Sequence, residues 1–190
     1  MTSPQSNADG TIKKAYYKLI AKHTGKCMEV WGFGRDNGSK INQWDYMGND
    51  CQKWRIEYVG NGYYTLMAKH SGKFLDLYYS QTQNGAIVHQ WEYNGSNAQL
   101  WKIEKVEEDY YKITAQCSGK ALEVWGFGKD NGAKIGQWDY AGNDCQKWQL
   151  IEVAPAEEPE FQCKAGLIAR YLSQSPFDYE YIIETVLEQN

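Results

Sequence analysis

The residue types that stand out for their chemistry in this sequence are aromatic. Its 190 residues include eight Trp and fifteen Tyr, against only five Phe. Trp and Tyr combine a flat apolar face with a polar tip, so they suit a binding surface as well as a core. Composition alone leaves both uses open, and the spacing of these residues has to decide between them.

The residues that hold metals or act as nucleophiles form no recognisable pattern. The five cysteines are an odd number at irregular spacing, without a Cys-x-x-Cys pair, and the three histidines lack metal-ligand spacing. We therefore predict no metal and no other cofactor, and free thiols in a reducing compartment, with one disulfide left open. Cys117 with His23 or His70 would form a nucleophilic pair only by coincidence of folding, so we interpret Cys117 as a core thiol.

Charge and hydropathy exclude several classes of partner. The formal net charge of −4 argues against a nucleic-acid backbone as the main partner. No apolar run approaches the roughly 20 residues of a membrane-spanning helix, so we predict no membrane insertion. The first ten residues, MTSPQSNADG, contain no basic segment followed by an apolar one. We expect a cytoplasmic protein, or one released without a conventional signal peptide.

A repeat of 47 residues organises most of the sequence. Three Gln-x-Trp triplets carry it, ending at Trp54, Trp101 and Trp148. Copies one and three are near duplicates, EVWGFGRDNGSKINQWDYMGNDCQKW and EVWGFGKDNGAKIGQWDYAGNDCQKW, whereas the second copy keeps the frame and changes the detail. Each copy shows four β-rich segments separated by turns, which predicts about twelve strands in an all-β fold. In copy one the predicted strands are Tyr16–Ile20, Met28–Val30, Lys40–Trp44 and Gln52–Ile56.

Three in-register Gln-x-Trp repeats of this length resemble the ricin B-type β-trefoil, the family of the R-type lectins and related carbohydrate-binding modules. The resemblance covers roughly residues 14 to 153 and implies a six-stranded barrel closed by three hairpins, with pseudo-threefold symmetry. We interpret the triplet tryptophans as barrel core, and each triplet Gln as a tie to a loop through its amide. The predicted organisation is a flexible N-terminus over 1–13, repeats over about 14–60, 61–107 and 108–153, and an acidic linker with a helical tail over 154–190.

The resemblance also implies one shallow sugar pocket in each repeat. In the family, an acid at the end of the second strand accepts hydrogen bonds from two sugar hydroxyls, and an aromatic residue at the end of the third strand stacks on the sugar. An Asn just before the triplet commonly adds a polar contact. Carried over in repeat order, the acid falls on Glu29, Asp76 and Glu123, the stacking ring on Trp44, Trp91 and Trp138, and the family Asn on Cys51, Ala98 and Cys145. The nearby candidates for that polar contact are Asn49, Asp50, Asn94, Asn97, Asn143 and Asp144. Strand alternation makes Asn42, His89 and Gly136 candidate floor positions, and a second aromatic residue stands two positions past the acid, at Trp31, Tyr78 and Trp125.

The pockets depart from the family pattern in two respects. The family acid is usually Asp, which only Asp76 keeps, and the longer Glu29 and Glu123 would displace the sugar or change which hydroxyls are read. The family Asn position holds Cys or Ala, which is why nearby Asn and Asp residues are the candidates. The cleft tryptophans could instead pack against neighbouring loops, and the second aromatic residue could equally contact a protein partner.

The leading hypothesis is a non-enzymatic lectin whose partners are glycans, of galactose type or other cell-surface or polysaccharide sugars. Each pocket would bind weakly, and several pockets together would bind a surface firmly. A glycosidase needs two carboxylates flanking a cleft, whereas each predicted pocket offers one. The competing hypotheses are a protein-binding trefoil, acting as scaffold or inhibitor, and the receptor-binding subunit of a toxin.

The tail matches no family motif. Residues 154–160 predict a stiff, acidic linker, and two short helices are predicted over 163–173 and from Ser175 to about residue 188. Apolar side chains surround much of the second helix. The tail therefore either packs against the barrel or joins two chains as a homodimer, and the sequence leaves both open.

Overall fold

The computed structural model of the chain describes residues 6–156. Within this range twelve strands alternate with six single-turn 3-10 segments. The strands are β1 (Ala15–Ala21), β2 (Cys27–Val30), β3 (Ile41–Trp44), β4 (Trp54–Gly60), β5 (Tyr63–Ala68), β6 (Phe74–Leu77), β7 (Val88–Trp91), β8 (Trp101–Lys105), β9 (Tyr111–Ala115), β10 (Ala121–Val124), β11 (Ile135–Trp138) and β12 (Trp148–Pro155). The predicted tail helices, and the homodimer they would form, lie outside the described residues.

Six strands close into a barrel, and the other six form three hairpins. Each barrel strand pairs antiparallel with two others, in the ring β1–β4–β5–β8–β9–β12 and back to β1. The hairpins are β2–β3, β6–β7 and β10–β11, one in each repeat. Closure of the ring leaves the barrel without a free edge. The all-β fold predicted from the repeat and the trefoil that the family resemblance implies are both confirmed.

The barrel core is built from side chains that recur every 47 residues. The triplet tryptophans Trp54, Trp101 and Trp148 are fully buried, as predicted. Each indole Nε1–H donates to a backbone carbonyl of its own repeat's hairpin, which satisfies the polar tip of a buried ring. The acceptors are Met28, Leu75 and Leu122, at 3.1, 3.0 and 3.0 Å.

Each triplet Gln ties down the loop in front of it. Gln52 donates from Nε2 to the Asp45 carbonyl at 2.8 Å, and its Oε1 accepts the Met47 N–H at 2.8 Å. Gln99 and Gln146 make the same pair of bonds in their own repeats. The fourth strand of repeat one begins at Trp54, two residues later than predicted, because Asp50–Gln52 forms a 3-10 turn. That turn places the Gln amide beneath the loop that it holds.

A second set of buried glutamines, not predicted from the sequence, joins the three repeats in a ring. Gln43 of repeat one donates from Nε2 to the carbonyls of Gly128 and Asp130 in repeat three, at 3.0 and 3.1 Å. Gln90 binds the corresponding loop of repeat one, and Gln137 that of repeat two. Each hairpin is thus held by a neighbouring repeat, so the ends of the hairpins are fixed relative to one another.

Residues 6–13, which we predicted to be flexible, form a turn before β1. Ser6 pairs with Ile12 in an isolated antiparallel bridge. The Ile12 side chain is buried, and its N–H donates to the Tyr64 hydroxyl at 3.2 Å. This contact attaches the segment to β5.

The four cysteines of the described part are free thiols, as predicted. Burial raises the pKa of Cys51 and of Cys145 to about 11, and that of Cys27 to about 12. Cys117 packs against the core, and burial raises its pKa as well. A thiol is a nucleophile only as its thiolate, so these side chains act as packing groups at neutral pH.

Candidate functional site

The hairpins of repeats two and three each open into a cleft lined by the residues predicted for a pocket. The repeat-two cavity measures about 280 Å³ and the repeat-three cavity about 300 Å³. The first is lined by Asp76, Tyr78, Tyr79, Ser80, His89, Trp91, Asn94, Ser96 and Ala98. The second is lined by Glu123, Trp125, Gly126, Phe127, Trp138, Ala141, Asn143 and Gln146. Every residue predicted for these two pockets lines its cavity except Gly136 and the polar candidates Asn97 and Asp144.

Strand register explains why the acid and the floor residue meet. Residues in register on the two strands of a hairpin are cross-strand neighbours, and a residue two positions along a strand lies on the same face. The acid pairs with the floor residue in all three hairpins: Glu29 with Asn42, Asp76 with His89, and Glu123 with Gly136. Repeat one therefore has the same arrangement of acid, floor residue and tryptophan as the other two repeats.

The floor position differs between repeats. His89 reaches into the repeat-two cavity. Asn42 is buried in repeat one, and its Oδ1 has no hydrogen-bond partner among the described residues. Gly136 lies against the backbone of repeat two, where an added Cβ would come within 2.8 Å of the Ala86 carbonyl oxygen. Gly136 is not among the residues that line the repeat-three cavity, and its position leaves no room for a larger side chain, so its place at the pocket floor stays a prediction.

The cleft tryptophans differ from the triplet tryptophans in exposure. Trp44, Trp91 and Trp138 are 37%, 38% and 40% exposed. One edge of the Trp44 ring lies beside Gly132 of repeat three, where a Cβ would be 3.8 Å from the ring and φ is +87°. That positive φ favours glycine and lets the Asn-Gly turn pass beside the indole. One edge of the ring therefore packs on a neighbouring turn while more than a third of the residue stays exposed, and stacking on a sugar stays a prediction.

Repeats one and three hold their acid through the triplet Gln. The Nε2 amide of Gln52 donates to Glu29 Oε2 at 3.0 Å, and Gln146 does the same to Glu123 Oε2 at 3.0 Å. Both carboxyl groups are buried, and burial raises the pKa of each above its usual 4.5, while the Gln hydrogen bond partly opposes the shift. The extra methylene of Glu, relative to Asp, is what carries the carboxylate to the Gln amide. Oε1 of each Glu accepts no hydrogen bond from the described residues.

Repeat two holds its acid through His89. Asp76 Oδ1 lies 2.8 Å from His89 Nε2, and both side chains are buried. The imidazole lies 5.3 Å from the Trp91 ring with their planes 32° apart, and Tyr78 meets it edge-on at 5.3 Å. Tyr78, His89 and Trp91 therefore form one continuous row of rings along the cleft.

The rim opposite the cleft tryptophan is a left-handed turn that sequence reasoning did not identify. In repeat two the turn consists of Tyr79 and Ser80, with φ of 50° and 51°. Non-glycine residues seldom adopt this conformation, and they cluster at functional sites when they do. Tyr79 is 81% exposed and contacts Tyr78 edge-on at 4.4 Å. Repeats one and three have Gly-Phe at these positions, so the recurring Trp-Gly-Phe was the available signal.

Two further observations concern metals and membranes. Among residues 6–156, no group of three or more His, Cys, Asp or Glu side chains is placed to hold a metal ion. In the same part of the chain, no helix is long and apolar enough to cross a membrane.

A comparison with protein families found one that matches most of the chain. The family model described as ricin-type beta-trefoil lectin domain-like matches residues 6–91 and 97–162. A comparison with curated proteins found no match.

Solved structures show the same fold. The designed threefold-symmetric protein ThreeFoil is 41% identical, with a TM-score of 0.72, over 73% of this chain and 99% of that one. An exo-β-1,3-galactanase from Clostridium thermocellum is 34% identical, with a TM-score of 0.72, over 73% of this chain but only 30% of the galactanase. The ricin B-like lectin of Macrolepiota procera, solved with lactose, is 19% identical, with a TM-score of 0.63, over 80% of this chain and 99% of that one. At 19% identity the last likeness concerns the fold alone.

Proposed function

The chain belongs to the ricin-type β-trefoil lectin domain-like family, and on that premise we propose that it is a carbohydrate-binding protein with one shallow pocket per repeat. The observation that carries the proposal is the pairing of a buried carboxylate with a partly exposed tryptophan in each hairpin. A carboxylate accepts hydrogen bonds from two neighbouring hydroxyls, and the indole covers the sugar's C–H face. Few other ligands offer both features side by side.

Binding at each pocket follows from these contacts. In repeat one, Glu29 Oε1 accepts from the sugar hydroxyls while Oε2 stays on Gln52, so the carboxylate is oriented before the sugar arrives. Trp44 stacks on the sugar, and Asn49 adds a polar contact at the mouth. Shallow contacts of this kind give weak single sites, and three sites on one rigid trefoil raise the strength of binding to a surface.

The ligands we propose are galactose-containing glycans. One similar protein, 34% identical to this chain, is named as an exo-β-1,3-galactanase. That name points to galactose-containing sugars, and an acceptor carboxylate beside a ring suits a sugar with neighbouring hydroxyls above a flat C–H face.

Binding without catalysis is part of the proposal. Of the residues that line the two cavities, Asp76 is the one carboxylate in repeat two and Glu123 the one in repeat three. Hydrolysis of a glycosidic bond by the usual mechanisms needs a pair of carboxyl groups about 5 to 9.5 Å apart across the sugar.

Two assays test the proposed function. The first is agglutination of cells with and without free lactose, and the second is binding to a glycan array. We expect agglutination that lactose blocks, together with array signal on galactose-terminated glycans. The matched control is the triple variant Glu29→Gln, Asp76→Asn and Glu123→Gln, which should fold and lose both activities. A folded wild-type chain that binds no glycan on the array would overturn the proposal.

Repeats one and three should bind the same sugars equally. Their near-duplicate segments differ at four positions, of which only Asn42/Gly136 and Met47/Ala141 lie near the cleft. We expect the indole N–H signals of Trp44 and Trp138 to shift at the same sugar concentration in an NMR titration. A soaked crystal in which one pocket fills at saturation and the other stays empty, with no lattice contact in the way, would contradict this equivalence.

One observation favours a second candidate function, the binding of a protein. The rim residues Phe33, Tyr79 and Phe127 are each more than half exposed. Exposed aromatic residues are enriched where proteins meet. If cells agglutinate but no free sugar blocks the reaction, this candidate replaces the first.

A further inference from the structure

We propose that repeat two is a binding site of a second specificity, in which the buried Asp76–His89 pair selects a different sugar from the one bound by repeats one and three. The inference rests on the proposed function, because it takes each cleft as a sugar pocket. It assigns to His89 the role of a positioning residue, which orients the Asp76 carboxylate and forms the floor of the cleft.

The accepting carboxylate occupies a different position in repeat two. In repeats one and three a Glu reaches the triplet Gln, which fixes Oε2 at 3.0 Å and leaves Oε1 for the ligand. In repeat two the shorter Asp76 has no bond to Gln99 and is fixed instead by His89 on the opposite strand, at 2.8 Å. The free oxygen of Asp76 is therefore set back by one methylene and directed by a different partner. Sugars differ mainly in the direction of their hydroxyl groups, so a displaced carboxylate oxygen accepts hydrogen bonds from a different pair of hydroxyls.

The same bond fixes the proton and the orientation of His89. A carboxylate oxygen is an acceptor, so the bond of 2.8 Å requires a proton on His89 Nε2. The imidazole cannot rotate away without leaving Asp76 buried and unpaired, which is costly. His89 is therefore held in one orientation, with its ring 5.3 Å from Trp91. Asn42 is the residue at this position in repeat one, and Gly136 the one in repeat three.

The chemistry of the rim differs as well. In repeat two the cavity is lined by three residues that carry a hydroxyl group, Tyr78, Tyr79 and Ser80. The same stretch of the repeat-three cavity is Trp125, Gly126 and Phe127, which offers no side-chain hydroxyl. Two pockets that share an acid and a stacking ring thus differ in acceptor position, floor and rim. These are the features that decide which neutral sugar is preferred.

The inference can be tested on the intact chain, because each cleft contains its own tryptophan. The indole N–H signals of Trp44, Trp91 and Trp138, assigned by single Trp→Phe variants, report each site in one NMR titration. The probes are galactose, N-acetylgalactosamine, glucose, mannose and lactose. We expect Trp91 to rank them differently from the other two indoles, with at least one sugar differing by about tenfold in half-saturation, the worth of one hydrogen bond to a charged group.

The outcomes separate the inference from the function it rests on. One common ranking at all three indoles would overturn the inference and leave the proposed function standing. No shift at any indole with any sugar would overturn both.

A paired swap tests whether the Asp76–His89 pair is the cause. Asp76→Glu with His89→Asn gives repeat two the acid and floor of repeat one while keeping its own rim, and should move the ranking at Trp91 towards that at Trp44. The reverse swap, Glu29→Asp with Asn42→His, should move the ranking at Trp44 towards that at Trp91, and it serves as the test if the first variant does not fold. A purely structural role for His89 would not transfer specificity to repeat one. Folded swaps that leave both rankings unchanged would overturn the assignment.

Discussion

Replacing Trp54 with alanine is expected to lower the free energy of unfolding by about 3–5 kcal/mol, the usual loss when a large buried ring is removed. Trp54 is fully buried at the barrel core, and its indole N–H is bonded to the Met28 carbonyl at 3.1 Å. The variant therefore leaves a cavity, and the buried Met28 carbonyl keeps only the weak thiol donor of Cys27, at 3.5 Å. Urea unfolding followed by circular dichroism measures the loss without relying on tryptophan fluorescence.

The matched control is Trp44→Ala, the same substitution ten residues earlier. More than a third of the Trp44 side chain already faces solvent. We expect this variant to lose roughly 1 kcal/mol of stability, a fraction of the transfer free energy of a fully buried aromatic side chain, and to lose sugar binding at repeat one. Equal destabilisation by the two variants would mean that Trp44 belongs to the core, and the assignment of the first cleft would fail.

The contrast between these two tryptophans shows how much of the fold the sequence predicts. An exact period of 47 residues places Trp54, Trp101 and Trp148 at equivalent positions of the three repeats. A bulky apolar residue at the same position of every repeat is best explained by burial in a core that the repeats share. The same period places a Gln before each cleft tryptophan. Its partners were not predictable, because Gln43 bonds to a loop 85 and 87 residues away that only closure of the ring brings near.

The candidate site was predictable to the level of residue positions but not of partners. The positions of the acids and of the cleft tryptophans follow from the family pattern, and those of repeats two and three line their cavities. Which group holds each carboxylate depends on one methylene and on cross-strand register, so the bonds from Gln52 to Glu29 and from His89 to Asp76 emerged only from the structure. Tyr79 was missed because a left-handed turn is expected at glycine, and repeat two has tyrosine there.

Replacing Glu29 with glutamine is expected to weaken sugar binding at repeat one by about a hundredfold or more. The carboxylate would otherwise accept two hydroxyl donors, and each hydrogen bond to a charged group contributes about 1.5–3 kcal/mol. The introduced side chain would keep the bond from Gln52, because its amide oxygen accepts as Oε2 of Glu29 does, so the cleft should retain its shape. The Trp44 indole signal, titrated with lactose, measures the loss at this site, and Trp138 is the internal reference.

The same variant should be at least as stable as the natural chain at pH 7. Burial raises the pKa of Glu29 in the folded state above the unfolded value of 4.5, so the folded chain binds the proton more tightly. The stability that this group contributes is therefore present at low pH and is lost as the pH rises through the folded pKa. Glutamine has no charge to bury, so its advantage over Glu29 should grow as the pH rises from below 4.5 through the raised pKa of Glu29. Glu57→Gln, on β4 beside Lys14 and Arg55, removes the same charge away from the cleft and should show no such gain.

Sugar binding by the natural chain should respond to pH in the opposite sense. The carboxylate form is the acceptor, so binding at Trp44 and Trp138 should weaken as the pH falls towards the raised pKa values of Glu29 and Glu123. The loss should begin at a higher pH than an unburied Glu would give. If Glu29→Gln binds lactose as well as the natural chain does, or if binding at Trp44 stays constant while the pH falls below the ordinary Glu pKa of 4.5, the carboxylate is not the acceptor. The stacking ring alone would then carry recognition, and the buried charge at the base of the cleft would need another explanation.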